Sequence, residues 1–236
     1  MSTYVERDVA CPHCGKSSRR NVAESLNLGR SPHLAEPIID GSFQTFRCES
    51  CNQQVVVDHP MMVIDFDRGW WIAHYPRAWE HSWEGGERHS DATYQDTMVT
   101  YAPPIVAELR EGLQRRVVYG LDALREKIVA WSAGLDDRWL ELVKLEVWRA
   151  EPQLAFRPDA RPRLFAASDQ TLDFWATTVE GTSKVLRVER VRYESTRDGA
   201  DITRRAFVAA LGEGTYVDLA RIAFAGEDDS ANAANP

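Results

Sequence analysis

Cysteine is scarce in this 236-residue chain and confined to its start. Cys11, Cys14, Cys48 and Cys51 are the only four, and 185 residues follow without another. Lysine is also rare, occurring only at positions 16, 127, 144 and 184 among 28 basic residues. That arginine bias is the kind a GC-rich bacterial genome produces. No stretch approaches 18 uninterrupted apolar residues, which excludes an expected transmembrane helix and a membrane partner. The opening MSTYVERDVA lacks the basic start and apolar run of a secretory signal, so a cytoplasmic location is expected. No glycine-rich phosphate loop, nucleophile elbow, dinucleotide fingerprint or His-Glu-x-x-His pattern is present. Positive charge is in deficit: 28 basic residues face 36 acidic ones, a net charge of −8. That balance weighs against a nucleic-acid partner, whose phosphates must be neutralised. A content of 44% hydrophobic and 27% charged residues excludes collagen-like and wholly disordered chains.

What is present is a pair of matched cysteine motifs. Cys11-Pro12-His13-Cys14 is followed by Gly15, and Cys48-Glu49-Ser50-Cys51 by Asn52. In a knuckle, two thiolates two residues apart bind one ion, and the chain must then bend sharply. Glycine takes that left-handed conformation without steric cost, and asparagine is the next best residue for it. Zn²⁺ prefers four tetrahedral ligands, and four thiolates leave no position open for substrate. The spacing therefore predicts a structural Zn²⁺ site at Cys11, Cys14, Cys48 and Cys51. A redox reading of Cys11-Pro12-His13-Cys14 competes with it. That reading needs a helix with an apolar face after the motif, and Gly15-Lys16-Ser17-Ser18-Arg19-Arg20 supplies none. His13 is expected to point outward. Four thiolates and one Zn²⁺ add two negative charges, taking the total to about −10 and away from nucleic acid.

The rest of the chain reads as α+β: an N-terminal zinc-ribbon-like β unit with a hairpin, a central helix pair and a small C-terminal α+β subdomain. Short strands are expected around each cysteine pair, with a long excursion over 28–41 that holds a helical turn near 34–39. Met62 to Phe66 and Trp70 to Tyr75 form a hairpin about Asp67-Arg68-Gly69. Residues 76–102 are polar and read as a surface loop or insertion. Helices are expected after Pro103-Pro104 and over Leu121 to Trp131, with a short strand at 116–119 between them. Gly134 and Asp136 mark a helix stop and the next helix start. Leu164 to Ala166, Leu172 to Trp175 and Val185 to Tyr193 are expected strands, and Asp201 to Leu211 a helix. The expected units are a zinc-binding domain over 1–150 (ribbon 1–60, hairpin 61–75, insertion 76–102, helical part 103–150), a subdomain over 151–226 and a disordered tail over 227–236.

Several segments resemble a known family. Val9-Ala10-Cys11-Pro12-His13-Cys14-Gly15 and the run from Ile38 through Asp40-Gly41-Ser42-Phe43 to Cys48-Glu49-Ser50-Cys51 are similar to the bacterial and archaeal CpXC domain, named for its two cysteine pairs. So are Pro60 to Phe66, Arg116 to Ile128 and Ala133 to Arg138. The resemblance spans about 9–75 and 115–148 and is weaker over 160–225. The second knuckle departs from the pattern by lacking Pro and Gly, and the 76–102 segment has no counterpart in it. The resemblance implies a zinc site and brings no established biochemical activity.

The leading expectation is therefore an interaction or adaptor module rather than an enzyme, with another protein or a second copy as its partner. Trp70, Trp71, Trp79 and Trp83 are its candidate contact surface. Adjacent Trp70 and Trp71 on a strand point to opposite faces, so one is exposed unless a second layer covers it. An enzyme reading needs a cleft between ribbon and C-terminal part, lined from 74–102. A nucleic-acid reading needs a basic face of Arg19, Arg20, Arg30 and Arg47, yet residues 1–60 hold six basic and seven acidic side chains. His74, Glu80, His81, Glu84, Glu87 and His89 read as scattered surface groups, and Arg187, Arg190, Arg192 and Arg197 as part of a solvated, ion-paired face.

Overall fold

A computed structural model describes residues 2–223. The chain begins as a long antiparallel hairpin, β1 (Thr3–Ala10) and β2 (Ser17–Asn27), with the first cysteine pair in its turn. A 3-10 turn leads into α1 (Ala35–Asp40), which ends at Gly41 in the left-handed conformation, φ 84°. A second, shorter hairpin, β3 (Thr45–Arg47) and β4 (Gln54–Val56), holds the second pair in its turn. Strands β5 (Met61–Asp65) and β6 (Trp70–Tyr75) follow as the expected hairpin. Next come α2 (Trp83–Gln95), α3 (Ile105–Arg110), β7 (Gln114–Tyr119), α4 (Leu121–Ser132) and α5 (Asp137–Ala150). The chain continues through β8 (Arg163–Ala167), β9 (Thr171–Thr177) and β10 (Ser183–Glu189) to α6 (Arg190–Asp198), α7 (Ile202–Leu211) and α8 (Ala220–Ala223).

The main sheet is mixed, in the order β1-β2-β5-β6-β7; β2 meets β5 and β6 meets β7 in parallel, and the other pairs are antiparallel. Its inner strand β6 is buried on both faces, which explains a run as continuously bulky as Trp70-Trp71-Ile72-Ala73-His74-Tyr75. Trp70, Ile72 and Val118 join α4 and α5 in the principal core. Ala73, Tyr75, Val117 and Tyr119 meet Trp83 and Tyr216 on the opposite face. The antiparallel sheet β10-β9-β8 sends Leu164, Leu172, Phe174, Leu186 and Val188 into the principal core as well. One apolar cluster thus runs from Ala23 to Leu219.

The α4–α5 corner forms as its residues require. Gly134 takes φ 68°, and the Asp136 side chain accepts the Arg138 backbone N–H as the N-cap of α5. Leu135 and Leu140 are both buried beside it.

Four expectations need correction. Residues 76–102 are not a surface loop: a 3-10 stretch (77–82), α2 and a π-helical stretch (96–100) fill most of it. Its glycines allow the approach, because a Cβ on Gly86 would overlap Tyr119 Oη and lie 3.3 Å from the Tyr75 ring. Strand β2 is eleven residues long where no strand was expected over most of them. The expected strand Val185 to Tyr193 ends at Glu189, and α6 begins at Arg190, so Val191 and Tyr193 are helical. The helix expected after Pro103-Pro104, with Leu113 on its apolar face, already ends at Arg110. The expected tail 227–236 lies outside the described residues. No helix among the described residues is long and apolar enough to cross a membrane.

Candidate metal centre

The two cysteine turns are built alike. In the first, Cys11 N donates to Lys16 O at 2.9 Å and Gly15 N to Cys11 O at 2.9 Å. In the second, Cys48 N donates to Gln53 O at 2.9 Å and Asn52 N to Cys48 O at 2.8 Å. Gly15 and Asn52 take φ 73° and φ 57°. The same hydrogen bonds thus close two turns at equivalent positions, and the left-handed residue after each second cysteine is what the bend requires.

Hairpins β1–β2 and β3–β4 bring these turns together. All four Sγ atoms lie within 4.8 Å of one another. Cys11 Sγ is 3.7 Å from Cys51 Sγ, and Cys14 Sγ is 3.7 Å from Cys48 Sγ, so each close pair spans the two turns. A disulfide needs about 2.05 Å between sulfurs, far less than this. Four sulfurs held tetrahedrally at about 2.3 Å from one ion stand about 3.8 Å apart, which is close to the spacing of the two close pairs. Cys11 and Cys48 are buried, and Val55, Val9 and Phe46 pack against them.

The sulfurs differ in proton affinity. Backbone N–H groups of Cys51 and Ser50 bring the Cys48 thiol down to about 6. The Gln53 N–H favours the Cys51 thiolate, yet loss of water and the three other sulfurs push that thiol up to about 12. Cys14 is also raised: the Lys16 N–H favours its thiolate, but loss of water and the Cys48 sulfur outweigh it. One sulfur ionises readily and a second resists, as expected where several negative charges would crowd together. A cation at their centre removes that conflict. The set can therefore hold a metal ion, and its soft donors suit zinc among other thiophilic metals. His13 is exposed and its Nε2 lies 3.3 Å from Gln54 O, away from the ligand role.

The CpXC protein family model matches residues 9–144, more than half of the chain and all four cysteines. The chain belongs to the CpXC family. The CpXC match ends inside α5 and leaves β8 to α8 beyond it. No curated protein and no solved structure matches this chain.

The tryptophans fall differently from expectation. Trp70, Trp71 and Trp83 are buried, at 5%, 3% and 8% exposure, because the sheet is covered on both faces. Trp70 packs on Trp131 of α4, Trp71 meets the edge of Tyr94 of α2, and Trp83 lies against Tyr216. These three cannot form a contact surface in the folded chain. Trp79 is 51% exposed and stacks on Tyr75.

The scattered-surface reading holds for the exposed His81 and His89 but is corrected for His74, Glu80 and Glu87. His74 is fully buried, with Nδ1 3.0 Å from His59 O and Nε2 3.2 Å from Asp58 Oδ1. Glu80 is buried against Arg161 and accepts from Tyr216 Oη at 2.8 Å. Glu87 accepts from Tyr216 N at 2.6 Å. Arg187 does sit on an ion-paired face, 2.7 Å from Asp173.

Glu80 opens onto an ion network that sequence reasoning missed. Lys144 Nζ lies 2.8 Å from both Glu126 and Glu141, all three fully buried. Arg163 reaches Asp218 at 2.5 Å, Glu126 at 3.2 Å and Asp122 at 3.3 Å. Arg161 joins Asp218 at 2.6 Å. Beside this, Asp137 takes Arg116 at 2.7 Å and Lys127 at 2.9 Å. Glu126, Glu141 and Asp218 lie close enough together to suggest a second cation site, but Lys144 and Arg163 already answer their charge. The network also organises the backbone: Glu126 accepts Leu164 N on the edge strand β8, Glu141 accepts Leu219 N, and Lys127 donates to Val217 O. A signal was available in α4, which is apolar on so many sides that charges at 126 and 127 had to be paired inside.

Proposed function

We propose that this CpXC protein is a cytoplasmic, zinc-stapled interaction module. Cys11, Cys14, Cys48 and Cys51 hold one Zn²⁺ as in a zinc ribbon, with the metal joining two hairpin turns. The single observation that carries this reading is the closed set of four sulfurs, with close pairs at 3.7 Å across the turns. Four thiolates fill a tetrahedral shell, so the ion serves folding and not turnover. Reduced cysteines of this kind belong to a reducing compartment.

The partner in this reading is another protein or a second copy of the chain. Strand β1 supports it, because β1 stands at the edge of the five-stranded sheet with β2 as its neighbour. Such an edge offers backbone groups to an incoming strand. Acidic neighbours of two of its four arginines weigh against the nucleic-acid reading. Arg19 lies 3.8 Å from both Glu6 and Asp8, Arg20 lies 2.9 Å from Glu49, and Arg47 donates to Asn52 O.

Cobalt substitution tests the closed site. A tetrahedral four-thiolate spectrum that imidazole leaves unchanged is the expected result. A spectrum that shifts when imidazole is added reveals an open position and overturns the structural role. Light scattering of the metal-loaded chain, alone and with candidate protein partners, then tests the interaction role. A chain that stays monomeric and captures none of them contradicts that part.

A further inference from the structure

The start of α4 and strands β8 and β9 enclose a cleft of about 300 Å³ with no cysteine in its lining. That volume is at the lower end for small-ligand pockets. Its charged lining is Arg77, Arg125, Arg161 and Arg163 against Asp122 and Asp159. We propose that this cleft binds a small organic anion, a planar ring carrying a phosphate or carboxylate group. The inference is independent of the zinc-stapled reading.

Arg161 and Arg163 are committed to Glu80, Glu126 and Asp218, so the unpaired cation of the cleft is Arg125. Asp122 is shared, lying against Arg77 and 3.3 Å from Arg163. Asp159 is engaged at 2.8 Å by Arg157, outside the cleft. Arg125 makes no ion pair within 4.0 Å among the described residues, and its Nε donates to Ile38 O at 3.1 Å. Arg163 Nη2 is buried without a hydrogen-bond acceptor, and Glu80 Oε1 lies 3.8 Å from it. An incoming anion supplies the partner that Arg125 lacks.

The backbone makes room for those arginines. Gly41, at φ 84°, lies so close to Arg125 that a Cβ there would overlap its Nη2. Gly120, at φ 86°, would place a Cβ 3.0 Å from Arg77 Nε. Gly120 also begins the twelve-residue α4 with no side-chain cap, so the positive end of that helix faces the same region.

Trp175 offers the flat surface for a ring. Trp175 is 44% exposed, and its ring stacks on Phe165 with centroids 4.8 Å apart and planes inclined by 27°. Leu164 and Ala176 add apolar lining. A cleft lined by both arginines and an exposed indole fits a ligand with one charged end and one flat end.

Calorimetric titration of the metal-loaded full chain with phenyl phosphate, benzoate and inorganic phosphate tests this. At least one ring-bearing anion should bind with a Kd below about 1 mM, and inorganic phosphate at least about tenfold more weakly. The better of phenyl phosphate and benzoate tells a phosphate ligand from a carboxylate one. Arg125→Gln and Trp175→Ala should each weaken binding about tenfold or more with an unchanged melting temperature, and Arg125→Lys should restore part of the loss. Should Arg125→Gln fold poorly, the exposed Trp175→Ala decides alone. No heat from either ring-bearing anion, or equal binding by the wild type and Trp175→Ala, overturns the proposal.

Discussion

Glu141→Gln probes the buried ion network through its pH dependence. Five carboxylates (Glu80, Asp122, Glu126, Glu141 and Asp218) meet four cations there (Arg77, Lys144, Arg161 and Arg163). Glu141 shares its ion-pair partner Lys144 with Glu126, and it is the group that yields. Burial pushes its carboxyl up from 4.5 to about 7, against the attraction of Lys144, which Glu126 shares. A carboxyl that ionises later in the folded chain than in the unfolded one binds more protons when folded between those values. Stability from this group is therefore full at low pH and falls as pH rises from 4.5 to about 7. A shift of this size corresponds to about 3 kcal/mol over the whole window, with about 2 kcal/mol of it between about pH 5 and 7.5. That is a large part of an ordinary folding free energy of about 5–15 kcal/mol. The assay is urea unfolding of metal-loaded wild type and Glu141→Gln across that range. The readout is the change in their stability difference with pH, not the constant offset that the amide introduces. The wild type should lose about 2 kcal/mol relative to the variant as pH rises. A difference that stays flat, or that moves in the wild type's favour, refutes the assignment.

Two other substitutions separate structure from mere spacing. Asn52→Ala places a Cβ-bearing residue without a local polar group at φ 57°, costing about 1 kcal/mol, whereas Asn52→Gly should cost nothing; zinc competition with a chelator should show about fivefold weaker binding for alanine only. Lys144→Met removes the cation that Glu126 and Glu141 share, and chemical denaturation at neutral pH should show a loss of about 3–5 kcal/mol.

The metal centre was legible because its chemistry is local. Cys-x-x-Cys with Gly15 or Asn52 after it specifies a turn, and the turn specifies where two sulfurs point. The α4–α5 corner was legible for the same reason, through Gly134, Asp136 and the Leu135–Leu140 contact. What stayed hidden depends on distant neighbours. Strand β2 looks polar because its first half stands in an exposed arm with β1, and its last residues alone pair with β5. Helix α2 looks like a loop because its sequence is polar and holds Gly85 and Gly86, and Gly86 is needed only because Tyr119 comes from a strand 33 residues later. The exposed Trp79 and the buried Trp83 lie four residues apart in the same polar segment, so local sequence could not tell them apart. The ion network joins α4, α5, β8 and the residues before α8, and no single segment announces it.

The central claim is that four cysteines hold one ion in a closed shell. Elemental analysis of freshly purified protein under reducing conditions, paired with thiol titration before and after chelation, tests it most directly. The account predicts one zinc per chain, four thiols that become reactive only when that zinc is removed, and loss of both metal and cooperative unfolding of the cysteine hairpins in Cys48→Ser. A protein with no bound metal, four freely reactive thiols and an unchanged melting curve in Cys48→Ser would contradict it.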